Sequence, residues 1–224
     1  MRISPAFVVI TGVFISCLIV ANIIAVKLVN IGGLVLPAAV IIFPLSYLFG
    51  DVLTEVYGFA RARLVIWLGF ACNALVVLAI VAAGALPAAG FWSYQAAYDR
   101  ILGATPQILL ASFLAYLVGE FANSYVMARL KLATKGRWLW TRTISSTLVG
   151  EGLDSLVFIT IAFYRTPGVD IPSLIFTQWW VKSAYEIVAT PLTYGIVGWL
   201  KRIEGVDHFD YGTDFNPLAL QKGM

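Results

Sequence analysis

Leu34-Val-Leu-Pro-Ala-Ala-Val-Ile-Ile-Phe43-Pro44-Leu-Ser-Tyr-Leu-Phe-Gly50-Asp51-Val-Leu-Thr-Glu55-Val-Tyr57 is a run of apolar residues interrupted by two acids. About 20 mainly apolar residues suffice for a helix to cross the hydrocarbon core of a bilayer, and this stretch is long enough. Asp51 and Glu55 stand four apart, so on a helix they share one face. A charge at the bilayer centre costs at least ~2.5 kcal/mol.

Five further segments have the same character: residues 6–28, 64–86, 106–130, 141–164 and 172–200. With 34–57 they predict an all-α membrane protein, a bundle of six transmembrane helices occupying residues 1–203, followed by a polar tail at 204–224. Composition agrees. Hydrophobic residues make up 60% of the 224 and charged residues 12%, with a mean hydropathy of +0.88. A soluble domain needs roughly a quarter of its residues charged. The first segment is too long for a signal-peptide core and lacks a small-x-small cleavage site after it, so it reads as a retained helix. Cys17 and Cys72 lie in apolar runs and read as small buried fillers. The one histidine, His208, is in the tail, which removes histidine-based metal or nucleophile chemistry from the core.

Arginine and lysine set the orientation. Arg2, Arg61, Arg63, Arg129, Lys131, Lys135, Arg137, Arg142, Lys201, Arg202 and Lys222 fall on one side, and Lys27, Arg100 and Arg165 on the other. That bias predicts cytoplasmic N and C termini, and an even number of spans agrees. Trp92, Tyr94 and Tyr98 in one loop, and Trp138 and Trp140 before the fifth span, suit the headgroup region. The tail from Glu204 is expected to be loosely ordered. Residues 46–55 and 146–155 echo each other, with Ser, Leu, Gly and Leu repeated and an acid after the glycine; Ala21-Asn22 and Ala122-Asn123 lie at nearly the same offset. Two inverted three-helix repeats would produce such an echo, and many secondary transporters are built that way.

Polar side chains recur inside the spans: Asn22 and Lys27, then Asp51 and Glu55, Asn73, Glu120 and Asn123, Glu151 and Asp154, and the i, i+4, i+8 stripe Gln178, Lys182, Glu186. Structural roles compete with functional ones for several. Lys27 can snorkel to the headgroups, Glu55 can pair with a loop arginine such as Arg61 or Arg63, Asn73 can bond a neighbouring helix, and Lys182 can neutralise Glu186. Glu151 and Asp154 resist such readings. At 1.5 Å per residue from Arg142 they lie near mid-membrane, where Lys182 is the one base at similar depth and is expected to meet Glu151, Asp154 or Glu120. The remaining excess of acid implies protonated carboxyls or a polar cavity. Glycines (Gly32-Gly33, Gly50, Gly58, Gly150, Gly152, Gly195, Gly198) and Pro44 and Pro191 inside spans mark loosened or closely packed backbone.

The stretch from Phe43 to Gly58 resembles the queuosine precursor transporter family, which is grouped with the vitamin uptake transporters. Ala21-Asn22 with Lys27, the run from Ser145 through Glu151 to Phe163, and Lys182 ahead of Pro191–Gly195 carry the same resemblance over nearly all six spans. It implies a bacterial inner-membrane importer of 7-deazaguanines such as preQ0 and preQ1, in some members queuine, working by secondary or facilitated transport. It implies no enzyme activity and no ATPase domain; the expected partners are the solute and the lipid bilayer, with no cofactor and no nucleic acid. Matching positions give Asn22, Asp51, Glu55, Glu151, Asp154 and Lys182 as candidate binding residues; the physical reading adds Glu120, Asn123, Gln178 and Glu186. A carboxylate can accept the adjacent ring N–H and amine of such a ring, Lys182, Asn22, Asn123 or Gln178 can donate to its carbonyl, and Trp179, Trp180, Tyr185 or Tyr125 can flank it.

Other classes remain. A substrate-capture subunit of an energy-coupling-factor vitamin importer would share the size and span number, and another purine-like or vitamin-like solute would suit the same residues. An aspartyl protease of the bilayer is disfavoured because Leu48-Phe49-Gly50-Asp51 lacks the first glycine of the Gly-x-Gly-Asp pattern. A scaffold would not need inward-facing mid-membrane acids. So small a bundle suits a homodimer, whose interface the sequence does not specify.

Overall fold

The structure, a computed structural model, describes residues 4–25, 27–31, 34–103, 106–164 and 170–219. Arg2, Gly32, Gly33, Arg165 and Lys222, invoked above, lie outside them. The chain is helical, with α1 over Pro5–Ile24, α2 over Phe43–Tyr57, α3 over Phe59–Ala85, α4 over Gln95–Leu102, α5 over Pro106–Ala133, α6 over Leu139–Ala162 and α7 over Ile171–Glu204. Among the described residues three helices, α1, α3 and α6, are by themselves long and apolar enough to cross a membrane. The 15-residue α2 spans only ~22 Å, and α5 and α7 are longer but carry interior charge.

Two expectations need correction around α2. Residues 6–28 and 34–57 are not two continuous helices. The chain leaves α1 at Ala25 and forms an antiparallel hairpin of β1 (Leu28–Ile31) and β2 (Leu34–Pro37), with Leu28 opposite Pro37 and Ile31 opposite Leu34. A single 3-10 turn, Ala38–Ile41, leads into α2. The cause is the proline pair. Proline lacks the N–H that a helix interior uses and its ring clashes with the preceding turn, so Pro37 and Pro44 together disfavour one helix running through both. Pro44 then sits in the first turn of α2, where its missing N–H has no helical partner to lose. It starts a helix rather than kinking one. Pro191 does lie inside α7. The amphipathic α4 is a further element that hydropathy alone does not reveal; the Tyr98 hydroxyl ties it to α3 by donating to the Ile80 carbonyl at 3.0 Å.

Phe14, Leu18, Leu48, Val52, Val56, Ile66, Tyr116 and Met127 fill the core between α1, α2, α3 and α5. Leu75, Leu78, Val81, Val188, Leu192 and Trp199 point outward, as lipid-facing side chains would. Lys131 at the end of α5, Arg142 at the start of α6 and Lys201 near the end of α7 converge on Glu55 near the end of α2. This defines a basic end of the bundle. Phe7 in the first turns of α1 meets Tyr57 there, ring centroids 5.0 Å apart, so the described parts of both chain ends lie at the basic end. Helix α2 runs towards that end and α6 away from it, the opposite senses that an inverted repeat requires. Trp138 and Trp140 are exposed at the basic end, and Phe91, Trp92 and Tyr94 lie exposed between α3 and α4.

The tail is not loose. Residues 205–219 form a strap across the basic end. Both Asp210 carboxylate oxygens accept from the Phe59 amide, Arg63 donates to the carbonyls of Asp214 and Asn216, and Trp67 donates to that of Pro217. Phe215 packs against Phe59 and Tyr125. Gly58 joins α2 to α3 at φ +86°, and the His208 ring occupies the place where a side chain would project. A positive φ and that ring both restrict position 58 to glycine.

Candidate functional site

Two groups of buried acids occupy the bundle. The first centres on Glu55. Arg142 holds it in a two-pronged pair, Nε to Oε2 and Nη2 to Oε1, each 2.8 Å; Lys201 Nζ is 2.6 Å from Oε1 and Lys131 Nζ 3.4 Å. Asp207 from the strap bridges Lys131 and Lys201 at 2.5 and 2.9 Å. Both Glu55 oxygens are therefore occupied, and this planar fork matches a carboxylate edge. Of the two sequence readings of Glu55, the structure places it in a pair with an arginine, but the partner is Arg142 and neither Arg61 nor Arg63.

The second group lies deeper, between α2, α5, α6 and α7. Lys182 Nζ is 2.5 Å from Asp154 Oδ2 and 3.2 Å from Glu151 Oε2, so it meets two of its three expected partners across the bundle and does not neutralise Glu186. Asp51 Oδ1 accepts from Asn123 Nδ2 at 2.8 Å. Beyond these contacts the group is short of donors. Both oxygens of Glu120, both of Glu186, Asp51 Oδ2, Asn123 Oδ1 and the hydroxyls of Tyr47 and Thr147 are buried without a hydrogen-bond partner. Among the described residues this region gathers five carboxyls (Asp51, Glu120, Glu151, Asp154, Glu186) around one ammonium. An ionised carboxylate taken out of water loses several kcal/mol unless it is paired, so this arrangement is not a stabilising ion network.

Glycine brings the helices close enough to build it. A Cβ on Gly150 would come within 2.8 Å of the Asn123 Cβ and 3.0 Å of the Gly119 carbonyl, so only glycine lets α6 approach α5 so closely.

Above this group, on the side away from the basic end, lies a cavity of about 200 Å³. Asp154 and Lys182 reach it, as do Asn22, Asn73 and Gln178, and Phe43, Phe113, Tyr116 and Phe158 supply aromatic wall. Lys182 Nζ also sits 3.9 Å from the Phe43 ring centroid, a favourable cation–π distance. Asn22 Nδ2 donates to Asn73 Oδ1 at 2.9 Å, so Asn73 bonds a neighbouring helix and lines the cavity as well. Four of the ten candidates, Asn22, Asp154, Gln178 and Lys182, thus share one cavity. Asp51, Glu120, Asn123, Glu151 and Glu186 lie outside its lining, and Glu55 belongs to the basic end.

The aromatic wall differs from the one anticipated. Trp180, Tyr185 and Tyr125 are 59%, 41% and 43% exposed, and Trp179 turns its Nε1 to the Leu148 carbonyl at 2.9 Å. The wall comes instead from four residues on α2, α5 and α6. Phe43, immediately before Pro44 in the acid-bearing stretch, could have been suspected; Phe113, Tyr116 and Phe158 had no distinguishing signal among so many apolar residues. Lys27, at the far end of α1, is exposed, as a snorkelling lysine would be.

The sequence is similar to those of known proteins. Residues 37–196 match the family described as "Putative vitamin uptake transporter". A Bacillus subtilis (strain 168) protein named "Probable queuosine precursor transporter" is 32% identical over 179 residues, 78% of this chain and 77% of its own length. An Escherichia coli (strain K12) protein named "Queuosine precursor transporter" is 32% identical over 125 residues, 56% of this chain and 54% of that protein. No solved structure matches. With the family match covering most of the chain, from β2 to the later turns of α7, the chain belongs to the vitamin uptake transporter family and is a membrane transporter, not an enzyme.

Proposed function

We propose that this protein imports 7-deazaguanine precursors of queuosine, such as preQ0 and preQ1, across the bacterial inner membrane by secondary or facilitated transport. The observation that carries this reading is the Asp154–Lys182 pair, set on an aromatic-walled cavity beside Asn22 and Gln178. Such a cavity suits a flat heterocycle with donors on one edge and an acceptor on the other. Asp154 would accept the ring N–H and exocyclic amine as a pair, Lys182, Asn22 or Gln178 would donate to the ring carbonyl, and the phenyl rings would sandwich its faces. The names of the two relatives favour this solute class.

The charge distribution supports an orientation for this cavity. Six spans, α1, α2, α3, α5, α6 and α7, would place the basic end in the cytoplasm by the positive-inside rule. The cavity, flanked by the far end of α1 and the first turns of α2 and α7, would then face outward to receive solute, while the Glu55 group and the strap close the inner end. In this reading solute binding must break or share the Lys182–Asp154 contact, since both groups already hold each other at 2.5 Å.

Purified protein in liposomes tests this. Saturable uptake of labelled preQ1 or preQ0 is expected, with Asp154→Asn reducing it at least ~100-fold, as loss of a buried charge-assisted contact does. Folded protein that neither takes up nor binds either compound would sink the queuosine reading. Binding without uptake would point to a capture subunit that needs an energy-coupling partner.

A further inference from the structure

We propose that Asp51, Glu120 and Glu186 form a proton-binding site, separate from the solute cavity, whose occupancy drives solute movement. The coupling part rests on the transport reading above; the proton site does not.

Placement and lack of donors carry the proposal. The three acids come from α2, α5 and α7, are 0%, 0% and 3% exposed, and do not line the cavity. Five of their six oxygens lack a hydrogen-bond partner. The neutral groups beside them are acceptors as much as donors and are equally unpartnered. Asn123 gives its amide to Asp51 and leaves Oδ1 unused, Thr147 Oγ1 faces Glu186 from α6, and the buried Tyr47 hydroxyl bonds nothing. A region with surplus acceptors and too few hydrogens is completed by protons. A proton on Asp51 or Glu186 would have a ready acceptor in Asn123 Oδ1 or Thr147 Oγ1.

The charged surroundings do not supply an alternative. Glu120 faces Asp51 from α2, Glu151 and Asp154 from α6, Glu186 from α7, and the phenols of Tyr47 and Tyr116. Asp51 also faces Glu55 and Arg142, but Arg142 is committed to both Glu55 oxygens. Lys182 is committed to Asp154 and Glu151.

Coupling follows from the order of contacts. Lys182 and Asp154 link the cavity to the acids. A solute that draws on Asp154 changes how much of Lys182 remains for Glu151, and Glu151 faces both Glu120 and Glu186. Solute binding and proton binding would therefore bias one another, as linkage requires.

Infrared difference spectroscopy of the reconstituted full chain, without solute, reads the proton site directly. A protonated-carboxyl band at neutral pH is expected, weakened in Glu120→Gln and in Glu186→Gln, the second variant serving if the first does not fold. An unchanged band in both folded variants overturns the proposal. Uptake of labelled preQ1 then reads the coupling. An inward proton gradient should raise wild-type accumulation at least ~10-fold, and the glutamine variants should keep solute exchange yet lose that gain. Accumulation that follows a sodium gradient instead, or exchange and accumulation lost together in the variants, overturns it. A wild-type protein with the band but no preQ1 exchange would break the solute reading and support the proton site.

Discussion

Asp51 and Glu55 sit one turn apart on one helix and are equally buried, yet they have opposite surroundings. Glu55 is held by Arg142, Lys201 and Lys131. Asp51 has a single amide from Asn123 and one unused oxygen, beside Glu120 and Glu186, whose oxygens have no hydrogen-bond partner. A saturated carboxylate is a fixed structural charge, because every state of the protein that lost its partners would strand buried cations. An undersupplied carboxylate has room to change its protonation or its partners. The basic end is thus built to hold, and the middle of the bundle to change.

The sharpest test of that contrast compares Glu55→Gln with Glu120→Gln. Removing the Glu55 charge leaves Arg142 and two lysines without their buried counter-ion, and breaking such a group costs about 3–5 kcal/mol. A much lower thermal unfolding midpoint in detergent is expected. Glu120→Gln removes no ion pair and relieves like-charge crowding, so stability within about 1 kcal/mol of wild type, or above it, is expected. Equal losses in the two variants would erase the distinction between the regions.

If ion pairs do not hold the middle together, close packing must. Gly150 and Gly50 occupy matching places in the two echoing segments, and both lie against α5. The Cβ of Gly150→Ala would meet Asn123 Cβ at 2.8 Å and the Gly119 carbonyl at 3.0 Å, and its near neighbours include backbone that cannot yield. The Cβ of Gly50→Ala would meet the tip of the Glu120 side chain at 3.0 Å, which can swing aside, and Phe14 at an ordinary 3.7 Å. Overpacking of this kind costs typically 1–3 kcal/mol. That loss is expected for Gly150→Ala, with less than about 1 kcal/mol for Gly50→Ala, measured by the same melting experiment. A larger loss at Gly50 would mean that Glu120 is fixed in place, against the view of the middle as adjustable.

How much of this was legible in the sequence depended on the range of the cause. Hydropathy identified the long apolar helices because bilayer thickness acts on each segment alone. The depth of Glu151, Asp154 and Lys182 followed from simple rise per residue, which is why their meeting could be anticipated. The break between α1 and α2 was written locally in Pro37 and Pro44, but apolar content masked it. The Glu55–Arg142 pair joins residues 87 apart in sequence, and nothing local favours Arg142 over Arg61 or Arg63. The strap was hidden for a different reason. Its polar, glycine-containing composition reads as disorder, while its attachments run through backbone carbonyls of Asp214, Asn216 and Pro217, which every residue carries.

The strap also marks the outer limit of the saturated region. Asp207 bridges Lys131 and Lys201 but is 44% exposed, so solvent screens its pairs and Asp207→Asn should cost no more than about 1 kcal/mol. Partial burial works against its ionised form, but the hydrogen bonds from Lys131 and Lys201 prevail and hold its pKa below the ordinary value. Because the folded value is depressed, the contribution of Asp207 is fully present above the unfolded value of about 3.9 and is lost as acid carries the pH down through the folded one. Limited proteolysis of residues 205–219 should therefore accelerate slightly in Asp207→Asn at neutral pH, and the difference from wild type should vanish in acid, where the wild-type carboxyl is also neutral. A stability loss in Asp207→Asn as large as that in Glu55→Gln would place the boundary of the rigid region beyond Lys131 and make Asp207 part of its centre.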